Sequence, residues 1–188
     1  QQYLIELPGG RLQALSIAWD TRSKREGGQR WYHLYPGERI KAGDPLHWTA
    51  RSQNWNHMCA ACHSTDLRKN YDAAADTFAT RWSDINVACE ACHGPGSAHV
   101  QWGRQPDAAR AAAAAKGLVG PDAGKAGRWA FSPGARIAHR TGAALPGGVL
   151  DACFACHARR RQLVEPPIPG AAFLDNYVPT LLDAGAYH

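Results

Sequence analysis

Three copies of the pentapeptide Cys-x-x-Cys-His constrain this chain more than anything else in it. They are Cys59-Ala-Ala-Cys62-His63, Cys89-Glu-Ala-Cys92-His93 and Cys153-Phe-Ala-Cys156-His157. The chain has six cysteines, and all of them fall inside these motifs. Two intervening residues let both sulfurs reach one edge of a flat ring, and the histidine that follows then lies beneath its centre. That is the attachment pattern of c-type haem, in which the thiols add across the porphyrin vinyl groups and the histidine becomes the proximal iron ligand. The expected cofactor is therefore three covalent haem c groups, with His63, His93 and His157 as proximal ligands.

Other uses of paired cysteines fit less well. A disulfide framework also takes an even cysteine count, but it has no reason to place histidine after every second cysteine. Zinc knuckles combine in pairs into four-ligand sites, and three knuckles do not divide that way. A thioredoxin-like redox pair needs one motif at a strand-to-helix junction, not three dispersed ones.

At 188 residues the chain reads as a single domain, or as one part of a larger polypeptide. Its parts are a β-rich stretch (1–50), a first haem pair (51–104), an Ala/Gly-rich insertion (105–135) and a third haem with a C-terminal tail (136–188). Hydrophobic residues make up 45% of the chain, enough for a core, and three haems would themselves supply much of the apolar interior. No run is long enough to span a membrane. The opening Gln1-Gln2-Tyr3-Leu4-Ile5 is neither an initiator methionine nor a signal peptide. Haem attachment of this kind happens outside the cytoplasm, so a periplasmic or extracellular location is expected, with the export signal upstream. The net charge is +5 and the pI about 9.0. The basic residues are scattered, which argues against nucleic-acid binding. The one tight run, Arg159-Arg160-Arg161, reads as a neighbour of haem propionates or a solvated face, with a docking patch for an acidic partner as the alternative.

The pattern predicts a β-hairpin over residues 3–19, turning at Pro8-Gly9-Gly10-Arg11. A third short strand is expected over Arg30–Tyr35, stopped by Pro36-Gly37. Each haem motif should open or sit on a short helix, because its two cysteines and histidine must face one ring. Residues 76–92 suggest a helix capped by Asp76 or Thr77, and 106–116 an alanine-rich helix closed by Gly117. Residues 117–135 read as a loop, 165–169 as an extended exit and 171–183 as a last short helix. The fold class expected is mainly α and irregular, packed around haem, with a small N-terminal antiparallel β-hairpin or sheet. The gap from Cys59 to Cys89 is 30 residues and that from Cys89 to Cys153 is 64, so there is no true internal repeat.

The motifs supply only half of each iron's coordination. The chain has one methionine, Met58, whose position directly before Cys59 makes ligation awkward; packing is its expected role. Bis-histidine coordination and low reduction potentials are therefore expected. Of the 9 histidines, six remain as distal candidates. His33, His47 and His99 rank first; His57, His139 and His188 follow. The six-residue link from His93 to His99 spans at most roughly 20 Å, so a neighbouring haem is an easier target for His99 than its own. Asp84, Glu90 and Asp151 lie close enough to the motifs to orient a ligating imidazole, although solvated surface charge is the expected role of each.

The block Val87–His99, VACEACHGPGSAH, resembles the haem-binding segment of multihaem cytochromes c. That superfamily includes the tetrahaem cytochrome of ammonia oxidisers, pentahaem nitrite reductase and octahaem hydroxylamine oxidoreductase. A closer resemblance runs through QQYLIELPGGRLQAL, AWDTR, QRWYHLYP, DPLHWT, NWNHMCAACHST and CFACHARR. These segments are similar to the multihaem cytochromes often fused to tetratricopeptide repeats. The resemblance implies that His99, after the Gly-Pro-Gly turn, is distal ligand to another haem. It also implies that this chain corresponds to the central part of such a protein, or to a shortened member.

Three functional readings follow. The first is electron transfer between redox partner proteins whose identities the sequence does not specify. The second is a redox enzyme of the nitrite, hydroxylamine or sulfur-compound type, which needs an iron with an open position and nearby proton donors. The third is a module of a larger cytochrome assembly.

Overall fold

The structure is a computed structural model that describes residues 1–113, 116–119, 128–141 and 148–180. The chain divides into two compact units, Gln1–Asn86 and Val87–His188.

The first unit is built on a three-stranded antiparallel sheet of β1 (Gln2–Leu7), β2 (Arg11–Asp20) and β3 (Arg30–His33) in that order. The hairpin forms where the sequence predicts it. Leu7 pairs with Arg11 across a loop in which Gly9 and Gly10 both have positive φ (76° and 68°), the conformation that glycine enters without strain. The register slips between Gln2 and Leu4. β3 pairs Trp31 with Trp19 and His33 with Ile17.

Two one-turn helices follow, α1 (Trp55–Met58) and α2 (Ala60–His63). Two small two-stranded sheets complete this unit: β4 (Ser64–Thr65) with β7 (Asp84–Ile85), and β5 (Tyr71–Asp72) with β6 (Thr77–Phe78). The helix expected over 76–92 therefore forms only at its last residues, 89–92, and not over 76–88. Its residues pair with distant backbone instead: Phe78 N–H with Gly9 O (2.8 Å), Ala79 N–H with Asn70 O (3.1 Å) and Arg81 with Arg68 in both directions (2.8 Å). Asp76 and Asn86 sit at φ 51° and 65°, outside helical space.

The second unit contains α3 (Cys89–His93), α4 (Ser97–Gly103) and α5 (Asp107–Ala112). Next come the hairpin of β8 (Arg128–Ala130) with β9 (His139–Thr141), and then α6 (Val149–His157). β10 (Arg160–Gln162) pairs with β11 (Tyr177–Pro179), and α7 (Phe173–Asn176) lies between them in sequence. The alanine-rich helix stops at Ala112, because Ala113 turns extended. Gly117 does not close it. The C-terminal helix is likewise only α7, because Tyr177 leaves helical space (φ −143°, ψ 149°) to join β11. Part of the loop expected over 117–135 is strand β8; residues 120–127 and 181–188 lie outside the described residues.

The fold is thus mixed rather than mainly α. Among the described residues there are seven α-helices of four to nine residues, and small antiparallel sheets recur along both units. None of the described helices is long and apolar enough to cross a membrane. The buried apolar set among these residues is small: Ala14, Ala18, Trp55, Ala60, Phe173 and Tyr177. In contrast, many large apolar side chains are exposed, up to 67% for Phe131 and 82% for Ile137.

Candidate haem attachment sites

The first motif is held by buried polar side chains. Asn54 precedes α1 in extended conformation and accepts the His57 N–H on its side-chain oxygen (3.1 Å), capping the helix. Asn56 is fully buried; its Oδ1 accepts from Leu12 N–H (2.7 Å) and Asn54 Nδ2 (3.3 Å), and its Nδ2 donates to Gly10 O (3.1 Å) and Thr80 Oγ1 (2.9 Å). Gln13, also buried, accepts from Asn54 Nδ2 (3.1 Å) and donates to the carbonyls of Trp48 (2.9 Å) and Ala50 (3.1 Å). These bonds fasten the segment entering the motif to the β1–β2 hairpin. Trp55 packs edge-on against Trp82 at 5.1 Å, and Ala60 has no exposed surface. The His63 N–H returns to Cys59 O (3.0 Å), closing the turn that carries both thiols. Asn86 N–H donates to His63 O (2.9 Å), so β7 secures the end of the motif.

Cys89, Cys92 and His93 all lie within α3, and Cys153, Cys156 and His157 within α6. Residues at i, i+3 and i+4 of a helix occupy one arc of about 100°. Each motif therefore presents two sulfurs and an imidazole to one side, as the sequence predicts. Cys89, Cys92 and Cys153 are exposed, whereas Cys59, Cys62 and Cys156 are half-buried. Burial, and next the neighbouring Cys62, push the Cys59 thiol above its ordinary pKa.

The third motif is braced from behind. Asp151 accepts Phe173 N–H (2.9 Å), tying α6 to α7. Phe154, Phe173 and Tyr177 form a chain of ring contacts at 5.7 and 5.3 Å, and the Arg160 guanidinium lies 4.1 Å from the Tyr177 ring. Arg160 Nε also donates to Ala155 O, inside the motif. The middle of the arginine run is thus a packing element rather than a solvated or docking charge. Phe154, Phe173 and Leu174 line an open apolar groove of about 460 Å³ beside the motif. Glu90, one of the three acids near the motifs, is also engaged: it accepts Gly96 N–H (2.6 Å) and fixes the Gly-Pro-Gly turn. Asp84 is an exposed residue of β7, paired with Thr65.

The distal candidates differ in how their imidazoles are held. His99 Nδ1 lies 2.7 Å from Lys116 O. A carbonyl can only accept, so Nδ1 carries a proton, and in the neutral ring Nε2 carries the lone pair. Its ring stacks on Trp102, one turn on along α4, at 5.1 Å and 20°. His33 and His47 are the reverse. His33 Nδ1 accepts from Tyr35 N–H (3.0 Å), and His47 Nδ1 receives both Thr49 donors, the hydroxyl at 2.7 Å and the N–H at 3.4 Å. Neutral rings held this way carry their proton on Nε2. For His57, burial and then the charges of Lys69 and Arg51 lower the pKa, favouring the neutral ring that ligation needs. His139 is exposed on β9, and His188 lies outside the described residues. Met58 is 41% exposed, so it fills no core here. The structure adds Gln13, Asn54, Asn56 and Trp102 to the residues that build the sites. Of these, only Asn54 carries a sequence signal, an Asn directly before a helix.

Residues 23–94 match the family model described as cytochrome c554 and c-prime. That stretch is similar to a multihaem cytochrome c family. No curated protein and no solved structure matches it significantly. The matched stretch carries the first two motifs with His33, His47 and His57, while the third motif, His99 and His139 lie beyond it. The likeness to a cytochrome c family points to covalently bound haem c and haem-based electron transfer. The residues fit that group. Thiols and imidazole share one arc at each motif, and large apolar side chains stand exposed beside them: Met58 and Ile85 at the first, Val87 and Val100 at the second, Leu150 and Phe154 at the third. A flat apolar ring attached there would cover surface that water otherwise contacts.

Proposed function

We propose that this chain is a multihaem cytochrome c, a three-haem electron-transfer protein. The haems attach through Cys59 and Cys62, Cys89 and Cys92, and Cys153 and Cys156, with His63, His93 and His157 as proximal ligands. The observation that carries this reading is the common geometry of the motifs, each a short helical turn presenting two cysteines and a histidine on one arc. When bound, the haems supply one-electron exchange between ferric and ferrous iron. The chain's own residues hold the attachment turns rigid, through Asn54 and Asn56 at the first and Asp151 and Arg160 at the third.

Bis-histidine, low-potential coordination remains the reading for the distal side. His99 is the candidate with the best support, because its proton sits on Nδ1 and its Nε2 is available. His57 follows on its preference for the neutral ring. A periplasmic or extracellular site of action, with protein redox partners on either side, accords with covalent haem attachment.

The Nε2-protonated rings of His33 and His47 favour a second reading, in which one iron keeps an open position and the protein is a haem-based redox enzyme. Electron paramagnetic resonance of the ferric protein separates the two. Low-spin signals alone, unmoved by nitrite or cyanide, support electron transfer; a high-spin signal that shifts with either supports the enzyme.

A further inference from the structure

The segment Lys116–Val119 lies across the backbone that joins His93 to His99. At one end Lys116 O receives the His99 Nδ1–H. At the other, Val119 N–H donates to His93 O (3.3 Å). Between them Gly117 adopts φ 71°, and a Cβ there would fall 2.7 Å from His99 N and closer still to the Ala98 carbonyl group. Gly94 meets the strap from the other direction, since a Cβ on it would run into Val119 Cγ2. The contact thus depends on two glycines: Gly117 lets backbone approach backbone directly, and Gly94 leaves room for the Val119 side chain. Lys116 itself sits at φ 48°, which aims its carbonyl into α4.

The stacking partner of His99 is held as well. Trp102 donates its indole N–H to Arg110 O (3.2 Å), and the Arg110 guanidinium lies 6.0 Å from the indole ring. The imidazole is therefore fixed in plane by Trp102 and in tautomer by Lys116 O. From this geometry we infer that the Lys116–Val119 strap is a positioning element for an axial histidine: the Lys116 carbonyl sets the His99 tautomer and raises its basicity, and Gly117 is the residue that permits the approach. This rests on His99 being a distal ligand. A hydrogen bond from the non-ligating nitrogen strengthens an imidazole as a donor, so releasing it weakens the iron–nitrogen bond and raises the potential of that haem.

The test uses the intact haem-loaded protein. His99→Ala identifies the haem concerned, because one low-spin resonance signal changes and the others stay. In the unaltered protein, the His99 Nδ1–H exchanges with solvent slowly in nuclear magnetic resonance. Gly117→Ala speeds that exchange by about tenfold or more, shifts the g values of the same low-spin signal and raises one midpoint potential. Lys116→Ala, which removes a side chain but keeps the carbonyl, changes none of these. The inference is overturned if the Nδ1–H of the unaltered protein exchanges as fast as a solvent-exposed imidazole; this decides the matter even where Gly117→Ala fails to accumulate. It is also overturned if Gly117→Ala leaves exchange, g values and potential in place. If His99→Ala alters no haem signal, the ligand assignment of His99 fails first and the strap's role with it.

Discussion

Asn56 Oδ1 accepts the backbone N–H of Leu12 at 2.7 Å, from a side chain with no exposed surface. Leu12 lies just past the hairpin turn, and Asn56 is three residues before Cys59. The Asn56 amide, beside the Gln13–Asn54 bond, thus connects the N-terminal sheet to the first attachment turn. The unit's interior relies on such polar links because few apolar side chains are buried there. Asn56→Ala leaves Leu12 N–H and Gly10 O without their Asn56 partner, while the Thr80 hydroxyl keeps its bond to Lys69 O (2.9 Å), and each such loss costs about 1–3 kcal/mol. The expected destabilisation is about 3 kcal/mol, measured as a lowered denaturant midpoint of the haem-loaded protein with unchanged slope. Asn56→Asp should restore the Leu12 bond and recover part of the loss.

The loop between β2 and β3 carries a pH dependence. Asp20 accepts from Arg22 N–H and Nε (both 3.1 Å) and Nη2 (2.7 Å), and these bonds lower its pKa from 3.8 to about 2. A depressed folded-state pKa means that the ionised carboxylate contributes stability above about pH 4, and that this is lost as pH falls toward 2. Asp20→Asn should therefore be less stable than the unaltered protein at neutral pH. The gap should close on acidification through that window and narrow in high salt, because the Arg22 half of the pair is open to solvent. Thermal denaturation at several pH values reads this directly.

Behind the third motif, Arg160 joins Ala155 O to the Tyr177 ring. Arg160→Gln removes the cation–ring contact and the guanidinium bond together, with an expected loss of about 2 kcal/mol. The haem count of the protein that does fold should stay unchanged, because Arg160 braces the helix without touching the attachment atoms. A drop in haem content at unchanged stability would contradict this.

Much of this architecture is legible in the residues. The paired glycines after Pro8 specify the hairpin, and the spacing of cysteine and histidine specifies a helical turn at each motif. What is not legible depends on partners far away in sequence. Residues 76–92 look helical in isolation, yet Phe78 and Arg81 find backbone partners at Gly9 and Arg68, and those pairings override local propensity. Gly117 looks like a helix stop after an alanine run, but it marks a close approach to Ala98 and His99. His33, His47 and His99 are equivalent on paper. Apart from the family resemblance that points to His99, it is the neighbours of Nδ1 that distinguish them, a carbonyl for His99 and backbone N–H groups for the other two.

Independent attachment at each motif gives a stoichiometric prediction. The double substitution Cys153→Ser with Cys156→Ser should leave a protein with one haem fewer per chain. The signals of the remaining haems should persist, because their thiols lie on α3 and on α2 with its preceding residue Cys59.

The most direct test of the central claim is the mass of the intact denatured protein, read together with its pyridine haemochrome absorbance. The account predicts a mass equal to the polypeptide plus three covalently held haems, with absorbance matching three per chain. A mass equal to the polypeptide alone, or a count that stays below three when haem supply and maturation are not limiting, would contradict it.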